Sequence, residues 1–329
     1  MSKLNAALLL SFLTVLGGCT GSTGHKSNEK YYLVSSNVKL QYWQSAAAGL
    51  FKAAKQLDVS AEMVGPDTYD AQAEQVAFRS ALAKKPAGIL VSAADPNLLK
   101  ADIDAAIGQG VPVITIDSDT PASKRLTYIG TNNREAGRMG GERLAKEMGG
   151  KGNVIIYSML AQANVEERLH GYKDALADSP GIKIVEVVNM KGDPRVVFDA
   201  TSEIVDKGKL KPDAFACLEA ISCKEVADVL GRKKITGKVI IAMDTDQGTL
   251  DWIKKGSIAA TIAQKPFTMA YFGVKLLGDL FLNKLPTLDR NFSTDAQSPL
   301  PMFIDTGATV IDKSNVDGFL SARDSEKGQ

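Results

Sequence analysis

Histidine and cysteine are scarce in this sequence, with two His and three Cys among 329 residues. These low numbers exclude a His-rich metal site and a scaffold held together by several disulfides. Neither sign of charge is in surplus, because 39 Lys and Arg face 38 Asp and Glu, which gives a formal net charge of +1. This balance argues against a nucleic-acid-binding protein, which usually carries a basic patch or stripe. We therefore expect no metal site, no cofactor and no nucleic-acid partner.

Only the N-terminus carries a long apolar run, and that run is too short for a comfortable membrane span. Lys3 precedes the run at residues 6–15, and two glycines then stand directly before Cys19. A positive start, an apolar stretch and small residues before a cysteine resemble a bacterial lipoprotein signal. We predict residues 1–18 as the signal peptide and Cys19 as the lipidated N-terminus. The alternative is an ordinary signal peptide that happens to contain a cysteine.

The next segment, residues 19–30, is polar and contains Gly, Ser, Thr, Asn and Lys. This composition predicts a flexible, lipid-anchored tether that lifts a domain off the membrane. Several acyl chains on Cys19 would hold the protein firmly, because each buried CH₂ contributes roughly 0.8 kcal/mol of membrane affinity. We expect an exported protein, periplasmic or at the cell surface, that is anchored to the membrane through its lipid.

The rest of the chain is long enough for about two domains and alternates short apolar runs with amphipathic segments. Apolar runs at 88–91 and 111–116, for example, flank a helical segment that Pro96 opens and Gly108 ends. The same alternation restarts after Gly130. Parallel strands need crossover connections, which helices usually supply. The pattern therefore predicts an α/β protein with two doubly wound, parallel-sheet lobes.

In sheets of this kind, ligands bind beyond the carboxyl ends of the strands, so the residues after each predicted strand form the candidate site. Carboxylates accept hydrogen bonds from hydroxyl groups, Arg donates in a fixed fork, and aromatic rings cover the C–H face of a sugar. This chemistry favours a neutral polyol over an anion. Taken singly, each Asp is better explained as a helix cap and each aromatic as a core residue, but their convergence at five strand ends favours a site. The residues of the predicted site are Tyr42, Trp43, Asp117, Ser118, Arg168, Glu219, Asp244 and Gln264.

Several short segments are specific when their order and spacing are taken together. They are GVPVITID at 110–117, ERLHGY at 167–172, ATIAQ at 260–264 followed by Pro266, DTG at 305–307 and NVD at 315–317. With these segments, the chain from Tyr31 to Phe319 resembles the ribose-type (type I) periplasmic sugar-binding proteins of bacterial ABC importers. That family shares its ligand-binding domain with LacI-type repressors.

The resemblance implies two lobes that are joined by three crossings of the chain, as in a periplasmic binding protein of type I. The crossings are expected near residues 130–131, 264–265 and 298–306. The expected lobes are an N-terminal lobe of residues 31–131 plus 265–298 and a C-terminal lobe of residues 132–264 plus 299–323.

The resemblance also implies a role for each candidate side chain. It implies that Tyr42 and Trp43 stack on the sugar ring. It also implies that the sugar hydroxyl groups bind to Asp117, Arg168, Asp244 and Gln264. A sugar that touches both lobes would stabilise their closed arrangement, and the closed protein would deliver the sugar to an ABC permease and its ATPase.

Three positions depart from the ribose-binding pattern. Ser118 stands where those proteins usually have Arg, Leu218 where they have Asn, and Gly192 where they have a pocket aromatic. Ser118 and Gly192 would open space and Leu218 would offer an apolar wall, so we expect a larger or less polar polyol than ribose. Glu219 beside Leu218 either replaces a lost polar contact or points away as a helix cap.

Cys217 and Cys223 remain after Cys19 is acylated. One follows a predicted strand and the other precedes a predicted helix, so a disulfide is possible in an exported protein. A bridge requires Cα atoms within about 7 Å, and two buried free thiols are the slightly favoured alternative. Gly137 and Gly140 fit close helix packing.

Three other functions compete with sugar import. The same fold serves as a ligand sensor for chemotaxis or for a sensor kinase, which the sequence does not distinguish from transport. A carbohydrate-active enzyme would use Asp117 and Asp244 as an acid/base pair, but both are explained as hydroxyl acceptors. A transcription regulator would need a DNA-binding segment before Tyr31, where only the polar tether stands. We expect a binding protein and no enzyme.

Overall fold

A computed structural model describes residues 24–327 except 161, 289, 291 and 293. The predicted signal peptide at 1–18 and the predicted lipidation site Cys19 lie outside these residues. No helix in the described part of the chain is both long enough and apolar enough to cross a membrane.

Strands and helices alternate along the described chain. The first half contains β1 (Lys30–Val34), α1 (Gln41–Leu57), β2 (Ser60–Val64), α2 (Ala71–Ala83), β3 (Gly88–Val91), α3 (Pro96–Gly108), β4 (Val113–Ile116) and β5 (Tyr128–Gly130). The second half contains α4 (Asn133–Met148), β6 (Lys151–Ser158), α5 (Ala163–Ala177), β7 (Gly181–Asn189), α6 (Pro194–Lys207), β8 (Ala214–Cys217), α7 (Cys223–Arg232), β9 (Val239–Met243), α8 (Gln247–Lys255) and β10 (Ala260–Ala263). The last elements are α9 (Pro266–Leu282), β11 (Phe303–Asp305), β12 (Thr309–Asp312) and α10 (Val316–Lys327).

The strands form two sheets of six strands with the same winding. The first has the order β11-β5-β4-β3-β1-β2 and the second the order β12-β10-β9-β8-β6-β7. All pairs are parallel except β10 with β12, which is antiparallel. Central strands such as β3 and β4 are buried along their whole length, because helices cover both faces of the sheet. The predicted α/β architecture of two doubly wound lobes is confirmed.

The chain passes between the two sheets three times: from β5 to α4, from β10 to α9, and from β11 to β12. The first two crossings lie where the sequence placed them. The assignment of residues 299–305 to the C-terminal lobe is wrong, because β11 pairs with β5 in the first sheet. The ring of Phe303 stacks on that of Tyr128 with centroids 5.1 Å apart. The third crossing therefore follows Asp305.

The last residues of the predicted tether belong to the folded first lobe. Glu29 is buried and accepts hydrogen bonds from His25 at 2.8 Å and from the Tyr31 hydroxyl at 3.2 Å. The His25 ring also packs where a side chain at Gly278 of α9 would stand. The prediction of a flexible tether is therefore wrong for residues 25–30.

Two local features bear on the second lobe. Cys217 at the end of β8 and Cys223 at the start of α7 form a disulfide with their Cα atoms 5.7 Å apart, so the preference for free thiols is wrong.

Helices α4 and α5 meet through glycines, as the sequence indicated. A Cβ atom on Gly137 would lie 2.1 Å from the carbonyl oxygen of Arg168, which leaves no room for any side chain there.

Candidate functional site

A cleft opens between the two lobes, where the carboxyl ends of both sets of strands face each other. Its walls come from the first lobe, through the loops after β1, β2 and β4, and from the second lobe, through the loops after β6, β7, β8 and β9. Of the eight predicted site residues, seven line this cleft. They are Tyr42, Trp43, Asp117, Arg168, Glu219, Asp244 and Gln264.

Asp117 and Asp244 occupy corresponding places in the two lobes. Asp117 follows β4 and Asp244 follows β9, and each has a left-handed backbone, with φ of 61° and 66°. Their amide groups donate to the neighbouring strand, at Ile129 and Ile262. Non-glycine residues rarely adopt this conformation, and it concentrates at functional sites. Here it turns the chain at each strand end and places one carboxylate from each lobe in the same cleft.

Arg168 is the centre of a hydrogen-bond network in the second lobe. It extends from α5 and is 3 % exposed. Its Nε donates to Asn133 at 2.8 Å, its Nη1 to the carbonyl oxygen of Leu218 at 2.8 Å, and its Nη2 to Gln264 at 2.9 Å. The side chain is thus fixed by three protein acceptors. The guanidinium is held in place before any ligand arrives.

Gln264 connects this network to the hinge between the lobes. Its Oε1 accepts from Thr131 at 2.8 Å as well as from Arg168, and its Nε2 donates to Asp244 at 2.9 Å. Thr131 lies on the first crossing and Gln264 on the second. The side chains that face the cleft therefore share hydrogen bonds with the segments about which the lobes would move.

The aromatic pair at the start of α1 contributes one polar and one apolar surface. The Tyr42 hydroxyl donates to Asp117 Oδ1 at 2.6 Å, and Ser92 donates to Oδ2 at 3.1 Å. Trp43 is 4 % exposed and meets the Tyr42 ring edge to face, with centroids 5.2 Å apart. Both aromatics line the cleft, although they also pack against the core of the first lobe. Trp43 thus belongs to the core of the first lobe and also lines the cleft, and its role in stacking on a ligand stays a prediction.

The two remaining predicted residues differ in their placement. Ser118 is buried, does not line the cleft, and its hydroxyl has no hydrogen-bond partner among the described residues. Glu219 lines the cleft and also accepts from the backbone amide of Ile221 at 3.2 Å. Its side chain is therefore both a wall of the site and a local backbone acceptor. Leu218 takes part through its carbonyl oxygen, since its side chain is in the core.

Tyr69 is a cleft residue that the sequence reasoning missed. It lies between β2 and α2, donates to the carbonyl oxygen of Ala94 at 3.0 Å, and accepts from Gln162 of the other lobe at 3.2 Å. It also packs over Gly192, where an added Cβ would lie 3.1 Å from the Tyr69 ring. The expectation that Gly192 opens space is therefore wrong, because Tyr69 fills that space from the first lobe. No periodic pattern marks this loop position.

Burial shapes the charge of the three cleft carboxyl groups. It raises the pKa of Asp244 to about 7, against the opposing effects of the Arg168 guanidinium and the Gln264 amide. It also raises the pKa of Asp117 and of Glu219, again opposed in part by Arg168. Removing a carboxylate from water disfavours its charged form. Hydroxyl donors on a ligand would replace the lost water and favour the ionised carboxylates.

The comparisons with known proteins agree with this architecture. The family model described as a periplasmic binding protein domain matches residues 31–285. The chain belongs to this family. Members of a periplasmic family act outside the cytoplasm, which agrees with the predicted export.

Individual relatives of this periplasmic binding protein are sugar-binding proteins by name. The D-ribose/D-allose-binding protein of Pseudomonas aeruginosa is 27 % identical over 62 % of this chain and 66 % of its own length. The D-allose-binding periplasmic protein of Escherichia coli is 23 % identical over 82 % of this chain and 89 % of its own length. The structure of AraP, an arabinose-binding protein from Geobacillus stearothermophilus, shares 31 % identity at a TM-score of 0.75, over 89 % of this chain and 99 % of AraP. The predicted resemblance to sugar-binding proteins of ABC importers is confirmed.

Proposed function

We propose that this periplasmic binding protein captures a sugar or polyol between its two lobes and presents it to an ABC-type importer. The arrangement of Asp117 and Asp244 carries the proposal. One carboxylate from each lobe faces the same cleft, beside a fixed guanidinium and two aromatic rings. Vicinal hydroxyl groups donate to such carboxylates, and the names of the relatives point to the same ligand class.

Binding would act through closure of the lobes. A ligand that contacts both Asp117 and Asp244 interacts more strongly with the closed arrangement than with an open one, and only this difference in affinity shifts the equilibrium. The hydrogen bonds of Gln264 to Thr131, Arg168 and Asp244 link the site to two of the crossings. The closed surface is then what a permease with its ATPase would recognise.

The proposal includes export and membrane attachment. Residues 1–18 would serve as the signal peptide and Cys19 as the lipidated residue, which keeps the binding protein close to its permease. The relatives named above are binding proteins, and we propose that Asp117 and Asp244 here bind hydroxyl groups and have no catalytic role.

A thermal-shift panel of pentoses, hexoses and polyols tests the proposal. A ligand at 100 times its Kd stabilises the folded protein by about 2.7 kcal/mol, which raises the melting temperature measurably. We expect at least one sugar to do so, and we expect the shift to disappear in the Asp117→Ala and Asp244→Ala variants. A panel in which no compound raises the melting temperature would refute sugar capture.

A further inference from the structure

Acidic side chains outnumber basic side chains in the lining of the cleft, and an uncharged ligand would not offset this difference. Three carboxyl groups line it, those of Asp117, Glu219 and Asp244, and Arg168 is the one basic side chain among its described lining residues. No group of three or more His, Cys, Asp and Glu within the described ranges is arranged to hold a metal ion.

Arg168 is poorly placed to neutralise these carboxylates by direct contact. Its three hydrogen bonds go to Asn133, to the carbonyl oxygen of Leu218 and to Gln264, all of which are uncharged acceptors. It forms no salt bridge in the described structure with a cleft carboxylate, although salt bridges of other Arg residues are present. The guanidinium acts on the carboxyl groups at longer range.

Asp244 has more open hydrogen-bonding capacity than Asp117. Each oxygen of Asp117 already accepts one hydrogen bond, from Tyr42 or from Ser92. Asp244 Oδ1 accepts from Gln264, while Oδ2 accepts from no described residue and is not fully buried, in a side chain that lines the cleft. This oxygen is therefore free to accept from a ligand that enters the cleft.

Burial is the main cause of the raised pKa values of these groups, and the neighbouring carboxylates add a smaller effect. Burial raises the pKa of Asp244, the Arg168 guanidinium and the Gln264 amide oppose that rise, and the charges of Asp117 and Glu219 add to it. Burial likewise raises the pKa of Glu219, against the Ile221 amide and Arg168, and Asp117 adds a smaller rise. A cation bound between these groups would remove the repulsion and restore the ionised forms.

We propose that the ligand of this cleft is an amino sugar or amino polyol, whose protonated amino group donates to Asp244 Oδ2 and lies within the field of Glu219. This inference rests on the proposed sugar-binding function and narrows its ligand class. The hydroxyl groups of the ligand would use Asp117 and the aromatic pair. The ammonium group would supply the positive charge that Arg168 does not bring into contact.

Titration calorimetry at neutral pH with matched ligands tests this inference. Each set contains an aminohexose, its hydroxyl parent and its N-acetyl derivative, for example glucosamine, glucose and N-acetylglucosamine, and the galactose and mannose sets. We expect one amino sugar to bind at least tenfold more tightly than both of its partners. The hydroxyl parent has nearly the size of the amino sugar without its positive charge, so it separates charge from shape. The N-acetyl derivative keeps the nitrogen without the charge but adds an acetyl group.

Two variants that each remove one negative charge show whether the preference for an amino sugar depends on Glu219. Glu219→Gln is expected to reduce the preference for the amino sugar, taken as the Kd of the hydroxyl parent divided by the Kd of the amino sugar, at least threefold. Glu167→Gln is the matched control, because Glu167 also lies in the second lobe but its side chain is half exposed and outside the cleft. That variant makes the same change in net charge and is expected to leave the preference unchanged.

The two proposals fail in distinguishable ways. Neutral sugars that bind as tightly as their amino analogues would overturn the amino-sugar inference and leave sugar capture standing. Equal loss of preference in Glu219→Gln and Glu167→Gln would also overturn it, because the effect would then be one of overall charge. A set in which no compound binds would count against both proposals.

Discussion

At the residue scale, the cleft holds its carboxylates at a cost to stability. Asp244 is nearly buried, and its pKa of about 7 in the folded protein lies above its ordinary value of 3.8. The folded protein therefore retains a proton on Asp244 that the unfolded chain releases. Between these two pH values the unfolded state binds fewer protons, so stability falls as the pH rises.

Asp244→Asn is expected to stabilise the ligand-free protein at pH 8, by up to about 4 kcal/mol, because it removes a buried charge. The Asn oxygen still accepts from Gln264. At pH 3.5 Asp244 is protonated in the folded state and mostly protonated in the unfolded state, so the stability difference between the variant and the parent should nearly vanish. Urea unfolding at the two pH values measures the difference. The same stability difference at both pH values would contradict the assignment.

Asp244→Ala is expected to weaken sugar binding by about 2–5 kcal/mol, because it leaves Gln264 Nε2 and the ligand hydroxyl groups without their acceptor. Titration calorimetry with a sugar that binds the parent gives the change in Kd. Asp246→Ala is a suitable control, since Asp246 caps α8 through the Thr249 amide and does not line the cleft. An unchanged Kd in Asp244→Ala would remove this residue from the site.

The site residues at strand ends could be predicted from the sequence, and Tyr69 could not. Asp117, Asp244 and Gln264 each follow a recognisable apolar run, so the geometry of parallel sheets placed them together. Tyr69 acquires its role from Gly192 and Gln162 in the other lobe. That pairing depends on how the lobes approach each other, which no local pattern encodes.

At the scale of elements, the contact between α4 and α5 positions the guanidinium. Gly137 allows the backbone of α4 to approach Arg168 itself, and Gly171 does the same from α5, where an added Cβ would lie 2.0 Å from the Arg134 carbonyl oxygen. Arg168 reaches Gln264 from this fixed point. Close packing of two helices thus determines the position of one end of the hydrogen-bond network.

Gly137→Ala is expected to destabilise the protein by about 1–3 kcal/mol, because the two helices must separate to admit the methyl group. Sugar affinity should fall as well, since Arg168 moves with α5. Gly108→Ala, at the end of α3 where nothing lies within 4 Å, should be neutral or slightly stabilising. Thermal unfolding and calorimetry of both variants test this. Equal effects of the two substitutions would contradict the helix-contact argument.

Three short strands are missing from the sequence analysis. β5 and β11 have three residues each, too few for an apolar period to be visible. β12 has four residues, of which only two are apolar, so it lacks the continuous apolar run that marks β3. The missed β11 is the reason that residues 299–305 were assigned to the wrong lobe, because its place is decided by pairing with distant β5.

At the scale of the whole molecule, the lobes contact each other beside the cleft. Gln162 donates to Tyr69, and the backbone amide of Gln247 donates to Gln41 at 3.0 Å. Tyr69 also packs over Gly192. These contacts exist only when the lobes are close, so they add to the free energy of closure without touching the ligand.

Gly192→Ala is expected to weaken sugar binding at least fivefold, because its Cβ meets the Tyr69 ring at 3.1 Å when the lobes are close. Gly237→Ala is the matched control. Both glycines have φ of 75°, so each substitution places an alanine at the same unfavourable φ, but no neighbouring atom lies within 4 Å of a Cβ added at Gly237. Calorimetry on the two variants separates strain from closure. Equal affinities would show that Tyr69 and Gly192 play no part in binding.

The central claim is that one ligand is held by both lobes at once, and a crystal structure of the protein with the tightest-binding sugar of the panel tests it most directly. We expect the sugar in the cleft, with hydroxyl or amino groups within hydrogen-bond distance of Asp117 and of Asp244 in the same molecule. A sugar that contacts only one lobe, or that lies outside the cleft, would contradict the account.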